Sequence, residues 1–129
     1  MDANLYNGLA LAYIGDAVFE VEIRNYAILS GYTKANRLHK FVSNYVSAVA
    51  QAKIVHYMLD NKILTPKEEE IFLRGRNAKV RSYHKNVDIN TYHDATGFEA
   101  IFGYLYLTNN KDRISELINF LKEGDIINE

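Results

Sequence analysis

The chain contains no cysteine, which excludes a disulfide scaffold, a thiolate zinc site and a cysteine nucleophile. It has one proline and seven glycines, too few punctuators for a turn-rich β-sandwich. No apolar run approaches the ~18 residues of a membrane span. The opening residues, MDANLYNGLA, lack the basic and apolar regions of a secretion signal. These absences predict a soluble cytoplasmic protein with no membrane partner. What is present, 129 residues of which 48% are hydrophobic and 24% charged, is one domain's worth of chain. A globule of that size buries roughly two-thirds of its unfolded surface, enough for an independent core.

A large excess of charge of one sign is also missing, since the net charge is −1. The distribution is more informative than the sum. From Ile71 to Val87 there are five basic residues, Arg74, Arg76, Lys79, Arg81 and Lys85, and no acid. From Asn86 to Glu129 eight acids face three basic residues. A basic run is ordinarily a solvated face, but here Asn77, Tyr83 and His84 are interleaved with it, a mixture suited to phosphate contact.

Apolar spacing is helical nearly throughout, with no sustained alternation, and predicts an all-α domain. Leu5 to about Leu29 reads as one helical stretch, with Gly8 as a break point and Gly31 as terminator. Thr33 is a cap for a second helix through Phe41, and Ser43 or Asn44 for a third that ends at Asp60-Asn61. Thr65-Pro66-Lys67-Glu68 is a capping box with proline at the first helical position, opening a helix that fades near Gly75. Residues 75–90 read as a basic loop with a short helix around Ala78. Thr91-Tyr92-His93-Asp94 resembles a second capping box, before a helix carrying Phe98, Ile101, Phe102 and Leu105. Asn109-Asn110 is a turn, and a last helix runs from Asp112 to Lys122 with Gly124 as its stop.

Two carboxylates stand in apolar surroundings. Asp16 lies in Leu9-Ala-Leu-Ala-Tyr-Ile-Gly-Asp-Ala-Val-Phe19, a setting that predicts partial burial. Glu99 lies in Ala95-Thr-Gly-Phe-Glu-Ala-Ile-Phe-Gly103. Buried carboxylates require a hydrogen bond, a cation or a metal. Gly15 and Gly103 sit beside them, and glycine costs about 1 kcal/mol relative to alanine inside a helix. Close approach of two helices justifies that cost, and a crossing there brings Asp16 and Glu99 together. Hard oxygen ligands favour Mg²⁺ or Mn²⁺. The alternative is that each acid pairs with a basic side chain such as Arg24.

Leu-Ala-Tyr-Ile-Gly-Asp16-Ala-Val-Phe-Glu20 resembles the signature helix of the ribonuclease III endonuclease domain. Ala95-Thr-Gly-Phe-Glu99-Ala-Ile-Phe-Gly103 resembles that family's last catalytic helix. With Gly75-Arg-Asn-Ala-Lys79 and the Tyr-Leu-Tyr-Leu107 ending, the wording is similar to the small class of the family that is only the catalytic domain, Mini-ribonuclease III. The resemblance covers essentially the whole chain. It implies a single catalytic domain over residues 1–129, a helical bundle of the ribonuclease III type, with no double-stranded-RNA-binding domain. It implies metal-dependent cleavage of double-stranded RNA to 5′-phosphate ends, with Asp16 and Glu99 as the catalytic and metal-binding carboxylates and Mg²⁺, or Mn²⁺, as cofactor. It implies a homodimer and a role in maturing the ends of large-subunit (23S) ribosomal RNA, with a ribosomal protein as an optional helper. Ala12 stands where the family carries a glutamate and Thr96 where it carries an aspartate. Asp94 fits a helix cap, and Glu20 an exposed helix charge. The duplex is then held by Arg74, Arg76, Asn77, Lys79, Arg81 and Lys85.

Two rival readings have sequence support. Ala12 and Thr96 favour a non-catalytic RNA-binding or ribosome-associated module. His93-Asp94, with His39, His56 and His84 upstream, matches an HD-type metal phosphohydrolase, which needs separated histidines and an aspartate converging on one metal.

Overall fold

Helical periodicity resolves into six α-helices and no strand among the described residues of the computed structural model, which are Asp2, residues 6–78, residues 88–124 and Ile126. The helices are α1 (Gly8–Leu29), α2 (Ala35–Val46), α3 (Ala48–Asp60), α4 (Pro66–Arg76), α5 (Ile89–Leu107) and α6 (Lys111–Glu123). None of them is long and apolar enough to cross a membrane.

Several boundaries fall where the sequence places them. Gly31 follows the end of α1 with φ +98°, a left-handed position that glycine adopts without strain. Thr65 and Glu68 form the capping box of α4: the Glu68 amide donates to Thr65 Oγ1 at 3.1 Å and the Thr65 amide to Glu68 Oε1 at 2.9 Å. Asn109 turns with φ 61°, and Gly124 ends α6.

Other starts differ from the expected caps. Leu5 lies outside the described residues, and α1 starts at Gly8, capped by the Asn7 side chain. Lys34, not Thr33, precedes α2. Ser47, not Ser43 or Asn44, separates α2 from α3; its extended backbone breaks the helix and its hydroxyl accepts from the Ala50 amide. Ala78 sits in a bend, and the rest of the segment expected to carry a short helix lies outside the described residues. α5 begins at Ile89, because Asp88 caps it through the Thr91 amide. Thr91 is therefore the third helical residue, and Asp94 lies a turn and a half inside the helix rather than at its start.

α5 is the central element. It is buried from Asp94 to Phe98, from Ala100 to Gly103 and at Leu105, as a helix apolar on all sides must be. α1, α3 and α4 pack against it directly, with α6 at its C-terminal end. Against α1 the contact is backbone to backbone. A Cβ on Gly15 would stand 1.7 Å from the Glu99 carbonyl oxygen, and one on Gly103 1.9 Å from the Leu11 carbonyl oxygen. Beyond this crossing Phe19 of α1 meets Phe98 and Phe102 of α5 at ring-centroid distances of 5.0 and 5.2 Å.

α4 and α6 are tied by charge. Arg113 donates to both Glu68 carboxylate oxygens at 2.8 Å and to the Ile63 carbonyl at 2.8 Å, and pairs with Glu116. Burial opposes ionisation of Glu68, but the Arg113 guanidinium and the Thr65 amide outweigh it and hold its carboxyl below the usual range.

Two outcomes are expected. Alanine at Gly15 or Gly103, which in an ordinary helix interior stabilises by about 1 kcal/mol, should here destabilise by about 3 kcal/mol or more, measured by urea unfolding. Wild-type stability in either variant would mean that the helices do not cross this closely. Glu68→Ala should cost roughly 2–3 kcal/mol near neutral pH. Because the folded pKa is depressed, that contribution is complete above about pH 4.5 and is lost as pH falls through the folded value. Melts of variant and wild type should therefore converge in acid, and a constant difference would contradict the assignment.

Candidate functional site

The Gly15–Gly103 crossing decides where the two carboxylates sit. Glu99 is one turn before Gly103 on α5, and its side chain is largely enclosed. Asp16 follows Gly15 on α1. Successive helical residues are rotated by about 100°, so with Gly15 facing α5, Asp16 is carried round to the rim. It is exposed, a correction to the partial burial its apolar neighbours suggest.

The two side chains nonetheless meet. Burial, and then the charge and hydrogen-bonding proximity of Asp16, push the Glu99 carboxyl up to about 8. Gln51 of α3 provides the one opposing influence: its carboxamide, almost fully buried, donates to Glu99 Oε2 at 3.5 Å. No basic side chain pairs with either acid among the described residues. Arg24, the partner anticipated for such an acid, binds Glu20 at 2.6 Å instead, so Glu20 is a paired charge rather than a free one. Two adjacent carboxylates with no cation of their own suit a hard divalent ion. Among the described residues, however, no group of three His, Asp or Glu side chains is gathered for a metal. Ala12 is buried, and the Thr96 hydroxyl donates to the Tyr92 carbonyl at 3.0 Å. Neither position supplies a ligand, and among the described residues, which do not include His84, the HD-type constellation around His93-Asp94 is not assembled.

Asp94 is the main surprise. It is no helix cap: its side chain is 9% exposed and clamped between Arg76 Nε at 2.7 Å and His56 Nε2 at 2.8 Å. One turn and a half from Glu99 on α5, it ties α5 to His56 within α3 and to Arg76 at the end of α4. Sequence reasoning missed Gln51 too, although its spacing with Val55 and Met58 (i, i+4, i+7) puts a polar group on a core face.

Of the anticipated RNA-binding residues, Arg74 pairs with Glu70 at 3.1 Å and donates to the Tyr6 carbonyl. Arg76 is held by Asp94. Asn77 is the exposed C-cap of α4. Lys79, Arg81 and Lys85 lie outside the described residues.

The Ribonuclease III domain family matches residues 9–110. The Mini-ribonuclease 3 of Enterococcus faecalis is 51% identical over 119 residues, covering 92% of this chain and 90% of the relative. That of Streptococcus pneumoniae is 49% identical, covering 93% of this chain and 94% of the relative. An X-ray crystal structure of a Fusobacterium nucleatum protein superposes with TM-score 0.81 at 32% identity, covering 91% of this chain and 93% of that one. By sequence and fold, this chain belongs to the Mini-ribonuclease 3 family, is built on the ribonuclease III domain, and is an endoribonuclease.

Proposed function

We propose that the chain cleaves double-stranded RNA with the help of a divalent metal ion, Mg²⁺ or Mn²⁺, held by Asp16 and Glu99. The observation that supports this reading is the meeting of two carboxylates, one on the rim and one enclosed, with no basic side chain paired to either among the described residues. A bound Mg²⁺ supplies Lewis-acid stabilisation of charge building on the phosphodiester. The protein's part is positional. Asp16 holds the solvent side of the site and Glu99 the inner side, while the Gln51 carboxamide keeps one Glu99 oxygen in place. Arg76, 34% exposed and anchored through Nε, keeps its terminal nitrogens for a phosphate. Asn77 and the basic residues Lys79, Arg81 and Lys85 extend that contact along the backbone of the duplex, which proteins recognise by shape and phosphate.

The same reading includes one continuous catalytic domain over residues 1–129 and a cytoplasmic homodimer with one site for each strand. Support for self-association comes from α1 itself. Leu9, Tyr13, Val21 and Ile28 are exposed apolar residues on the helix that bears Asp16, Tyr13 at 85%; such patches mark interaction surfaces. The proposed substrate is precursor large-subunit ribosomal RNA, with a ribosomal protein as an optional helper.

The direct test is cleavage of duplex and single-stranded RNA by the purified protein, with Mg²⁺ and with EDTA. Metal-dependent duplex cleavage is expected; binding without cleavage would favour the non-catalytic module. Asp16→Asn and Glu99→Gln should each lower turnover by more than about 100-fold, the upper end of what losing a mere supporting group costs. Near-normal turnover in either would remove that residue from the mechanism.

Metal-free stability offers an independent check. The folded Glu99 carboxyl titrates near 8 rather than at its ordinary 4.5, so the unfolded chain releases this proton first. Stability of the metal-free protein should fall as pH rises from about 4.5 to about 8 and then level off. Glu99→Gln should abolish that decline. Parallel thermal-melting profiles for variant and wild type would contradict the placement of Glu99.

A further inference from the structure

A second glycine crossing places the cluster around Asp94. α4 meets α5 main chain to main chain, as α1 does. A Cβ on Gly97 would stand 2.6 Å from the Phe72 carbonyl oxygen, and one on Gly75 2.9 Å from the Gly97 Cα. Arg76 follows Gly75 and Asp94 lies three residues before Gly97, so this contact sets the guanidinium beside the carboxylate. α3 supplies the third member. Gln51 reaches Glu99, and His56, five residues further along α3, reaches Asp94, five residues further back on α5. The α3–α5 contact therefore carries two polar bridges, about 7.5 Å apart along the axis of α5. The first serves the carboxylate site. The second opens to solvent, since the His56 side chain is 57% exposed.

The open bridge has a defined polarity. Asp94 Oδ1 accepts from Arg76 Nε at 2.7 Å, and a carboxylate paired with a guanidinium has only acceptor oxygens to offer. His56 Nε2, 2.8 Å from Oδ2, is therefore the donor of its ring. The bond at one ring nitrogen sets the role of the other, so in the neutral imidazole Nδ1 is an acceptor. It has no partner among the described residues. The terminal nitrogens of Arg76 have none there either. One enclosed carboxylate thus holds, on its two oxygens, a cationic donor and a neutral acceptor.

Fastening α4 to α5 requires only the Arg76–Asp94 pair. An exposed imidazole held by its inner nitrogen is more than a fastener, because its other nitrogen is aimed. The backbone of RNA offers two kinds of partner. Its phosphates only accept, whereas its ribose 2′-hydroxyls also donate and are what distinguishes RNA from DNA. A duplex-binding module of ordinary size covers about 16 base pairs, ample to include a point this close to Glu99.

We infer that His56 Nδ1 accepts a hydrogen bond from a ribose 2′-hydroxyl of the duplex, beside the phosphate that Arg76 contacts, with Asp94 as the positioning residue that sets the tautomer of His56. This rests on the double-stranded RNA reading above and adds to it a contact that tells ribose from deoxyribose. His56 and Asp94 contribute selectivity and no chemistry.

The test uses the Asp16→Asn protein and two duplexes of about 30 base pairs, roughly twice the span of one such module. One is ordinary RNA and the other carries 2′-O-methyl riboses, which keep the A-form and the acceptor oxygen but have no proton to donate. The Asp16→Asn parent should prefer the ordinary duplex. Adding His56→Phe, which keeps the bulk of an exposed ring and removes the acceptor, should shrink that preference about three- to tenfold, the worth of one hydrogen bond. The loss should fall on the ordinary duplex. The slope of log K against log salt should not change, since no phosphate contact is lost. In Asp94→Asn the carboxamide oxygen goes to Arg76 and its NH₂ group to His56, which turns the tautomer round and makes Nδ1 a donor. The preference should shrink as much as in His56→Phe, and the two changes together should shrink it no further. An equal loss on both duplexes in His56→Phe overturns the inference. A slope flattened by about 0.9 also overturns it, because His56 would then be a cation on a phosphate. An undiminished preference in Asp94→Asn overturns the positioning role of Asp94. Failure of the Asp16→Asn parent itself to bind duplex RNA overturns the functional reading beneath it.

Discussion

The structure depends on one steric constraint: at their crossing, α1 and α5 touch through main-chain atoms. Carbonyl oxygens of Glu99 and Leu11 occupy the space where Cβ atoms of residues 15 and 103 would be. Helices normally stand 8–10 Å apart because side chains hold them there. Removing the side chains at two facing positions fixes both the distance and the rotation of each helix about its axis. That rotation turns Glu99 inward, leaves Asp16 on the rim and sets Phe19 against Phe98 and Phe102. The site and the core are thus two results of one contact.

The same protein treats its enclosed carboxylates in opposite ways. Glu68 and Asp94 are each held by an arginine, and Glu68 also closes its own helix cap. Their charges act as fasteners, joining α4 to α6 and both α3 and the end of α4 to α5. Among the described residues Glu99 receives only a neutral carboxamide and an acidic neighbour, and its carboxyl is pushed up to about 8. A group left electrostatically unsatisfied where neighbouring acids of the same fold are satisfied is a candidate for chemistry rather than for stability.

Positive charge follows a related division. A run of basic residues counted along the chain measures density but not availability. Arg74 and Arg76 belong to the densest run, yet both have carboxylate partners, while the sparser cations of α2 have none among the described residues. Neutralisation depends on what lies across a helix–helix gap, and Asp94 reaches Arg76 across eighteen positions of sequence.

Much was legible locally because its causes are local. Helical period, the Thr65–Glu68 box, the Gly31 and Gly124 stops and the Asn109 turn each arise within a few residues, and each was found where the pattern put it. The two glycines beside Asp16 and Glu99 foretold the crossing, since close approach is what glycine permits and other residues forbid. Caps were less legible where several polar residues competed. Asp88 and Ser47 displaced Thr91 and Ser43 because cap choice turns on which side chain meets the free amides as the chain enters the helix. Sequence alone determined the all-α class, the two motif helices and the pair of acids on them. Only tertiary structure decided that Asp16 is exposed, that Asp94 is a clamp and not a cap, that Gln51 touches Glu99, and which arginines are already engaged. Each of these is set by contacts between residues far apart in the chain, where no local spacing carries the information.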